Sequence, residues 1–202
     1  MCWNEPISWI TFILGTALCS YGSIRSKTNL NRWIYFFFQL VLMVQLGEAL
    51  VWRDPHCNTI GKIGTAIAFF GVWLQPLFGA YILSLLSPTW VLIVYDILLL
   101  IYCIVSVPIL QDVMTNCYVP LCEDNCLRPH LSYVSWDSTP MSILYIICII
   151  ILLVVMFPTY PYVSSYVAIT MILSFILYKK TFGSLWCWFG AFTPLVCILS
   201  GV

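Results

Sequence analysis

Charge is what this chain has least of. Of its 202 residues, 8 are Lys or Arg and 8 are Asp or Glu, which makes 8% charged and a net charge of zero with histidine neutral. Soluble domains carry about a quarter charged residues. The deficit excludes an ordinary soluble fold, and the balance leaves no basic excess for nucleic acid. Histidine is nearly missing, with 2 in all, His56 and His130, both outside the long apolar stretches. A haem bundle or an intramembrane zinc site therefore lacks ligands. The last apolar stretch has no lysine for a retinal Schiff base. The chain also contains no Walker loop, no His-Glu-x-x-His and no Gly-x-Ser-x-Gly. It is not read as an enzyme, and no metal or cofactor is expected.

Apolar residues are what it has most of, at 62%. A helix needs about 20 apolar residues to cross a hydrocarbon layer of about 30 Å. Seven stretches are expected to do so: Ile7–Ile24, Trp33–Trp52, Ile60–Ile82, Thr89–Leu110, Pro140–Phe157, Val163–Tyr178 and Phe182–Val202. Glu5 precedes the first stretch and its basic residues follow it, the reverse of a signal peptide, so it is expected to stay as a helix. Connections are short except for 111–139. The expected fold is all-α: one multi-pass membrane domain of seven transmembrane helices.

The third stretch carries Gly64, Ala68, Gly71, Gln75 and Gly79, spaced 4, 3, 4 and 4 apart, hence on one helical face. Small residues let helix backbones approach closely in lipid. The third helix is therefore expected at the centre of the bundle. The last stretch repeats the pattern with Gly183, Cys187, Gly190, Pro194, Cys197 and Gly201, and Pro76-Leu77 aligns with Pro194-Leu195. A second correspondence links Trp3-Asn4-Glu5-Pro6 with Trp136-Asp137-Ser138-Thr139-Pro140. Together they pair spans one and three with spans five and seven, giving a three-one-three pseudo-repeat: a first half over 1–86, a linker helix over 88–110, a cysteine-bearing loop over 111–139 and a second half over 140–202. In this plan the chain resembles the seven-helix carriers of the SWEET and PQ-loop types and the KDEL cargo receptor.

A closer resemblance rests on the opening Met1-Cys2-Trp3, on Gln45 with Glu48-Ala49 and Trp52, on Gln75-Pro76 and on Trp186-Cys187-Trp188. In these features the chain resembles an uncharacterised family of small heptahelical membrane proteins from large DNA viruses and microbes. The resemblance implies the fold and no activity.

Only Glu48 and Asp96 place a carboxyl well inside a span. Such a group costs on the order of 2.5–3.5 kcal/mol at the membrane centre unless it is neutral, paired or wetted. Glu48 shares a helical stripe with Gln45 and Trp52. It serves either as a proton-coupling or solute-binding acid or as an interhelical clasp reaching Arg53 or Lys62. Asp96 is expected at the depth of Gln75, where an acid–amide bond would join two helices; Tyr95 and Tyr102 offer hydroxyls on other faces. Pro76, Pro108 and Pro194 interrupt their helices, and Pro76 and Pro194 occupy matching places in the two halves.

Four cysteines, Cys57, Cys117, Cys122 and Cys126, lie on one membrane face, and their even number suits two disulfides if that face is oxidising. Zinc is the rival, but the Cys117-x4-Cys122-x3-Cys126 spacing lacks paired knuckles. Cys19, Cys103, Cys148, Cys187 and Cys197 fall in spans as small packing residues. The disulfides place the amino terminus outside or lumenal, although counting bases opposes that orientation. Two functions follow. One is a small-solute carrier or proton-coupled transporter for a small polar solute, with Gln45, Glu48, Gln75 and Asp96 lining a site between the halves. The other is a receptor or viral envelope protein acting through the disulfide-stapled loop.

Overall fold

Asn4 opens the first helix, α1 (Glu5–Arg25), by accepting the Ile7 N–H on its side-chain oxygen at 3.0 Å, with Pro6 in the first turn where no N–H is needed. Thr28 does the same for α2 (Asn29–Arg53), its hydroxyl accepting the Asn31 N–H at 3.1 Å. Asp54 then joins α2 to α3 (Thr59–Leu86): its carboxylate accepts the Gly61 N–H and the Asn58 amide, each at 3.0 Å. The Gly61 N–H holds the Asp54 carboxyl below its usual range, with the Asn58 amide assisting. α4 (Thr89–Thr115) follows, then two short antiparallel strands, β1 (Pro120–Cys122) and β2 (Pro129–Leu131), with Leu121 opposite His130. The remaining helices are α5 (Pro140–Met156), α6 (Pro161–Leu177), α7 (Phe182–Gly190) and α8 (Thr193–Leu199). This computed structural model describes residues 4–54, 56, 58–115, 120–122, 129–131, 140–177 and 182–202, with the backbone alone at 112–115, 120–122, 129–131 and 182–184.

Hydroxyls inside these helices return to their own backbone. Thr11 donates to Ile7 O at 2.7 Å, Ser26 to Gly22 O at 2.8 Å and Ser174 to Thr170 O at 2.7 Å. Where water is excluded, this satisfies a polar group without a tertiary partner.

Four helices are long and apolar enough to cross a membrane: α1, α2, α3 and α4 as far as Gln111. The other expected spans are apolar but shorter, at 17 residues each for α5 and α6, which is about 26 Å of helix. The last one, Leu185–Leu199, is bent by a turn at Ala191 and Phe192, between α7 and α8. Pro194 has no N–H for the Gly190 carbonyl, so the helical ladder lapses there. Pro76 and Pro108 behave differently from expectation. α3 and α4 run through them, each losing one hydrogen bond without ending.

The centre belongs to α2, not to α3 as the small-residue line suggests. α2 packs against α1, α3, α7 and α8, whereas α3 packs against α2, α4 and α5. In their most apolar windows, 67% of α2 is buried against 50% of α3 and 17% of α4. The small-residue line still works as close packing. A Cβ on Gly47 of α2 would lie 2.5 Å from the Gly64 oxygen of α3, and one on Gly64 would lie 2.7 Å from the Gly47 oxygen. Two backbones thus meet where neither has a side chain. In the later helices, Gly190 presses on Val41 of α2 in the same manner, with a Cβ position 2.8 Å from Val41 Cγ1. Gly201 is not part of that packing; it is exposed at φ +80° with nothing within 4 Å of its Cβ position.

Candidate functional site

Gln75 sits on α3 with no exposed surface. Its amide N–H donates to Gly71 O at 3.0 Å, and its oxygen accepts from Tyr145 Oη of α5 at 2.5 Å. One residue on, the Pro76 carbonyl accepts from Tyr95 Oη of α4 at 2.9 Å. The Tyr95 hydroxyl proton is thereby committed to that carbonyl. The Tyr145 ring meets Trp186 of α7 edge to face at 6.0 Å between centroids. Three helices are joined by hydrogen bonds around Gln75 and a fourth by ring packing.

The neighbouring α4 residue, Asp96, is outside this cluster. Tyr95, Tyr102 and Ser106 recur at helical spacing and are all buried against the bundle. Residues one apart on a helix point about 100° away from each other, so Asp96 is exposed on the outer face with Ile93, Ile97 and Leu100. The expected approach of Asp96 to Gln75 therefore does not occur.

Glu48 and Gln45 are both fully buried on α2, and the Gln45 amide donates to Glu48 Oε2 at 3.1 Å. Trp52, expected on the same stripe, is only partly buried, and its indole N–H has no partner among the described residues. Arg53 and Lys62 are exposed. The four polar residues expected at one site thus fall in three places: Gln45 with Glu48, Gln75 with the tyrosines, and Asp96 outside.

Between the N-terminal helices and the later ones lies a narrow cavity of about 20 Å³, room for about one water. Its walls are apolar: Phe38 and Val41 of α2, Ile82 of α3, Ile149 of α5 and Val167 of α6 line it, with Thr193 of α8. The Thr193 hydroxyl is buried and has no hydrogen-bond partner among the described residues. None of Gln45, Glu48, Gln75 or Asp96 reaches it. Pro194, next to Thr193, is buried but does not line this chamber, whereas Pro76 belongs to the tyrosine cluster.

Among the described residues no group of His, Cys, Asp and Glu has the makings of a metal site. Of the proposed disulfide cysteines, Cys57, Cys117 and Cys126 lie outside the described residues, and Cys122 is described by its backbone in β1 alone. Cys19, Cys148, Cys187 and Cys197 are buried free thiols, and Cys103 is partly buried. Sequence reasoning passed over Tyr145 and Thr193. The one available signal for Tyr145 was a phenol set within a run of Ile and Leu, since such a hydroxyl needs a partner in lipid. No protein family, curated protein or solved structure matches the chain.

Proposed function

We propose that the chain is a seven-pass membrane carrier built three-one-three, which moves a small, largely apolar solute with one polar end through a site between its halves. The observation that carries this reading is the cavity itself. Helices assigned to both halves line it, and its apolar walls hold the Thr193 hydroxyl, which has no partner among the described residues. Binding sites are mostly apolar with a few placed polar groups. The packing supports the repeat: α3 touches α5, and α1 touches α8. Exchanging the halves turns one of these contacts into the other. On this reading the chamber, which admits about one water, must widen for a solute. Glu48, held by Gln45, is the coupling acid, and the amino terminus faces outside.

The test is thermal stability of the purified protein across a panel of small solutes, since a ligand that binds the folded state raises apparent stability. A solute that raises the melting temperature of wild type but not of Val167→Phe, which fills the chamber, supports the site. That solute should then cross proteoliposome membranes in a pH-dependent way that Glu48→Gln removes. No response in wild type, or an equal response in Val167→Phe, would overturn it.

A second reading has one observation in its favour: β1 and β2 pair within the 111–139 loop, as a folded recognition element would. On this reading the loop binds a partner and the bundle anchors it. A loop-swapped variant that keeps full activity would exclude it.

A further inference from the structure

At the end of the bundle where α1 stops and α2 begins there is an open-mouthed cavity of about 570 Å³. Its rim carries Arg25 and Lys27, with Ser26, Thr28 and Asn31 beside them, and no carboxylate side chain lines it. The sequence has no acidic residue between Glu5 and Glu48, so this turn is purely basic, with Arg32 as a third cation. Two contacts set its shape. The Arg25 guanidinium lies 5.6 Å from the Tyr21 ring centroid, and Arg32 reaches back to Ser26 O at 3.5 Å and to Asn29 Oδ1 at 3.3 Å. The positive end of α2 opens toward the same space, as do the carbonyl ends of α1 and α8, so the attraction for an anion rests on the rim cations Arg25 and Lys27. In the floor, Tyr35 Oη donates to the Val202 oxygen at 3.2 Å.

Tyr35 also lines a second space, a groove of about 420 Å³ that runs along the α1–α2 seam away from the turn. Moving away from the basic rim, α1 lines the groove with Ile24, Ser23, Ser20, Cys19 and Thr16, and α2 faces them with Tyr35, Phe36 and Gln39; it ends where Gln39 Nε2 donates to Thr16 Oγ1 at 3.1 Å. From Arg25 to Thr16 is nine residues of helix, about 14 Å. The seam therefore leads from the cations into a groove whose walls mix Ile24, Cys19, Tyr35 and Phe36 with serine hydroxyls. A phospholipid likewise continues from its phosphate into an acyl chain.

We propose that this cavity binds the phosphate of an anionic phospholipid through Arg25 and Lys27, with one acyl chain in the α1–α2 groove. A free phosphate would need the rim but not the groove, and the groove is what favours the lipid. The site is separate from the central chamber and stands or falls independently of the carrier reading.

The test uses the full chain in neutral phosphatidylcholine–detergent micelles, with phosphatidylglycerol added in one arm and inorganic phosphate in another. The melting temperature of wild type should rise with phosphatidylglycerol and stay flat with inorganic phosphate. The rise should be lost in the Arg25→Gln, Lys27→Gln double variant, whose two side chains are exposed and whose stability without added lipid should match wild type. It should be reduced in Ser23→Phe, which blocks the head of the groove. The Arg53→Gln, Lys62→Gln double variant, altered at the other end of the bundle, should respond as wild type does. A rise that survives loss of Arg25 and Lys27, or is equally lost with Arg53 and Lys62, overturns the site. An equal rise with inorganic phosphate overturns the lipid assignment, and a full response in Ser23→Phe overturns the groove.

Discussion

The Tyr95 hydroxyl occupies the space that a side chain on Gly79 would need: a Cβ built on Gly79 falls 2.7 Å from that oxygen. Tyr95 has no exposed surface to retreat into, and its hydroxyl is already bonded to Pro76 O. Gly79→Ala should therefore cost about 1–3 kcal/mol, the range for overpacking a tight interior. Tyr95→Phe in the same chain should restore part of that loss, because it removes the clashing atom. Thermal denaturation of the two single variants and the double variant measures this; additive losses would separate the two residues.

The bond between Gln75 and Tyr145 joins α3 to α5. Tyr145→Phe leaves the Gln75 oxygen buried without its donor, an expected loss of about 1–3 kcal/mol. Adding Gln75→Leu should recover most of it, since two apolar partners leave nothing unsatisfied. Melting temperatures in one detergent are sufficient, and no recovery in the double variant would assign the loss to packing.

Thr193 gives an expectation of opposite sign. Its buried hydroxyl has no partner among the described residues, so Thr193→Val should raise the stability of the empty protein by about 1 kcal/mol, the low end of what an unsatisfied buried group costs. If the chamber is a solute site, the same variant should weaken the solute-dependent rise in melting temperature. A destabilised Thr193→Val would mean that the hydroxyl is bonded within the protein.

Asp54 sets an acid-sensitive step at the α2–α3 turn. Its carboxyl is lowered in the folded state by the Gly61 N–H, so its stabilising effect is present above the unfolded value, about 3.9, and fades as pH falls through the lower folded value. The difference in melting temperature between wild type and Asp54→Asn should be constant near neutrality and shrink below about pH 4. A difference independent of pH would remove the charge from the account.

The long helices were legible because apolar length and capping residues are local properties: Asn4, Thr28 and Pro6 act within one turn of their own positions. The small-residue line of α3 correctly marked a close approach at Gly64, yet it misidentified the centre, because a helix can be buried through bulky side chains as well as small ones. Besides Gly47, α2 buries Phe37, Phe38, Val41 and Leu42. Asp96 was misread for a rotational reason. Depth along a helix follows from sequence, but the direction a residue faces depends on which side the neighbours occupy, and Tyr95 and Tyr102 took the inward side. The polar partners Gln75 and Tyr145 are 70 residues apart, and nothing local announces such a pair.

The helices differ in length in a way that bears on the bilayer around them. α3 has 28 residues and α2 has 25, whereas α5 and α6 have 17 each. At 1.5 Å per residue this is about 42 Å beside about 26 Å. On the seven-pass reading no single bilayer thickness suits both sets: lipids must thin beside the short helices, or the long ones must lean until the heights agree, at fractions of a kcal/mol for each ångström of mismatch. The thickness of the host membrane then becomes a term in the protein's own conformational equilibrium.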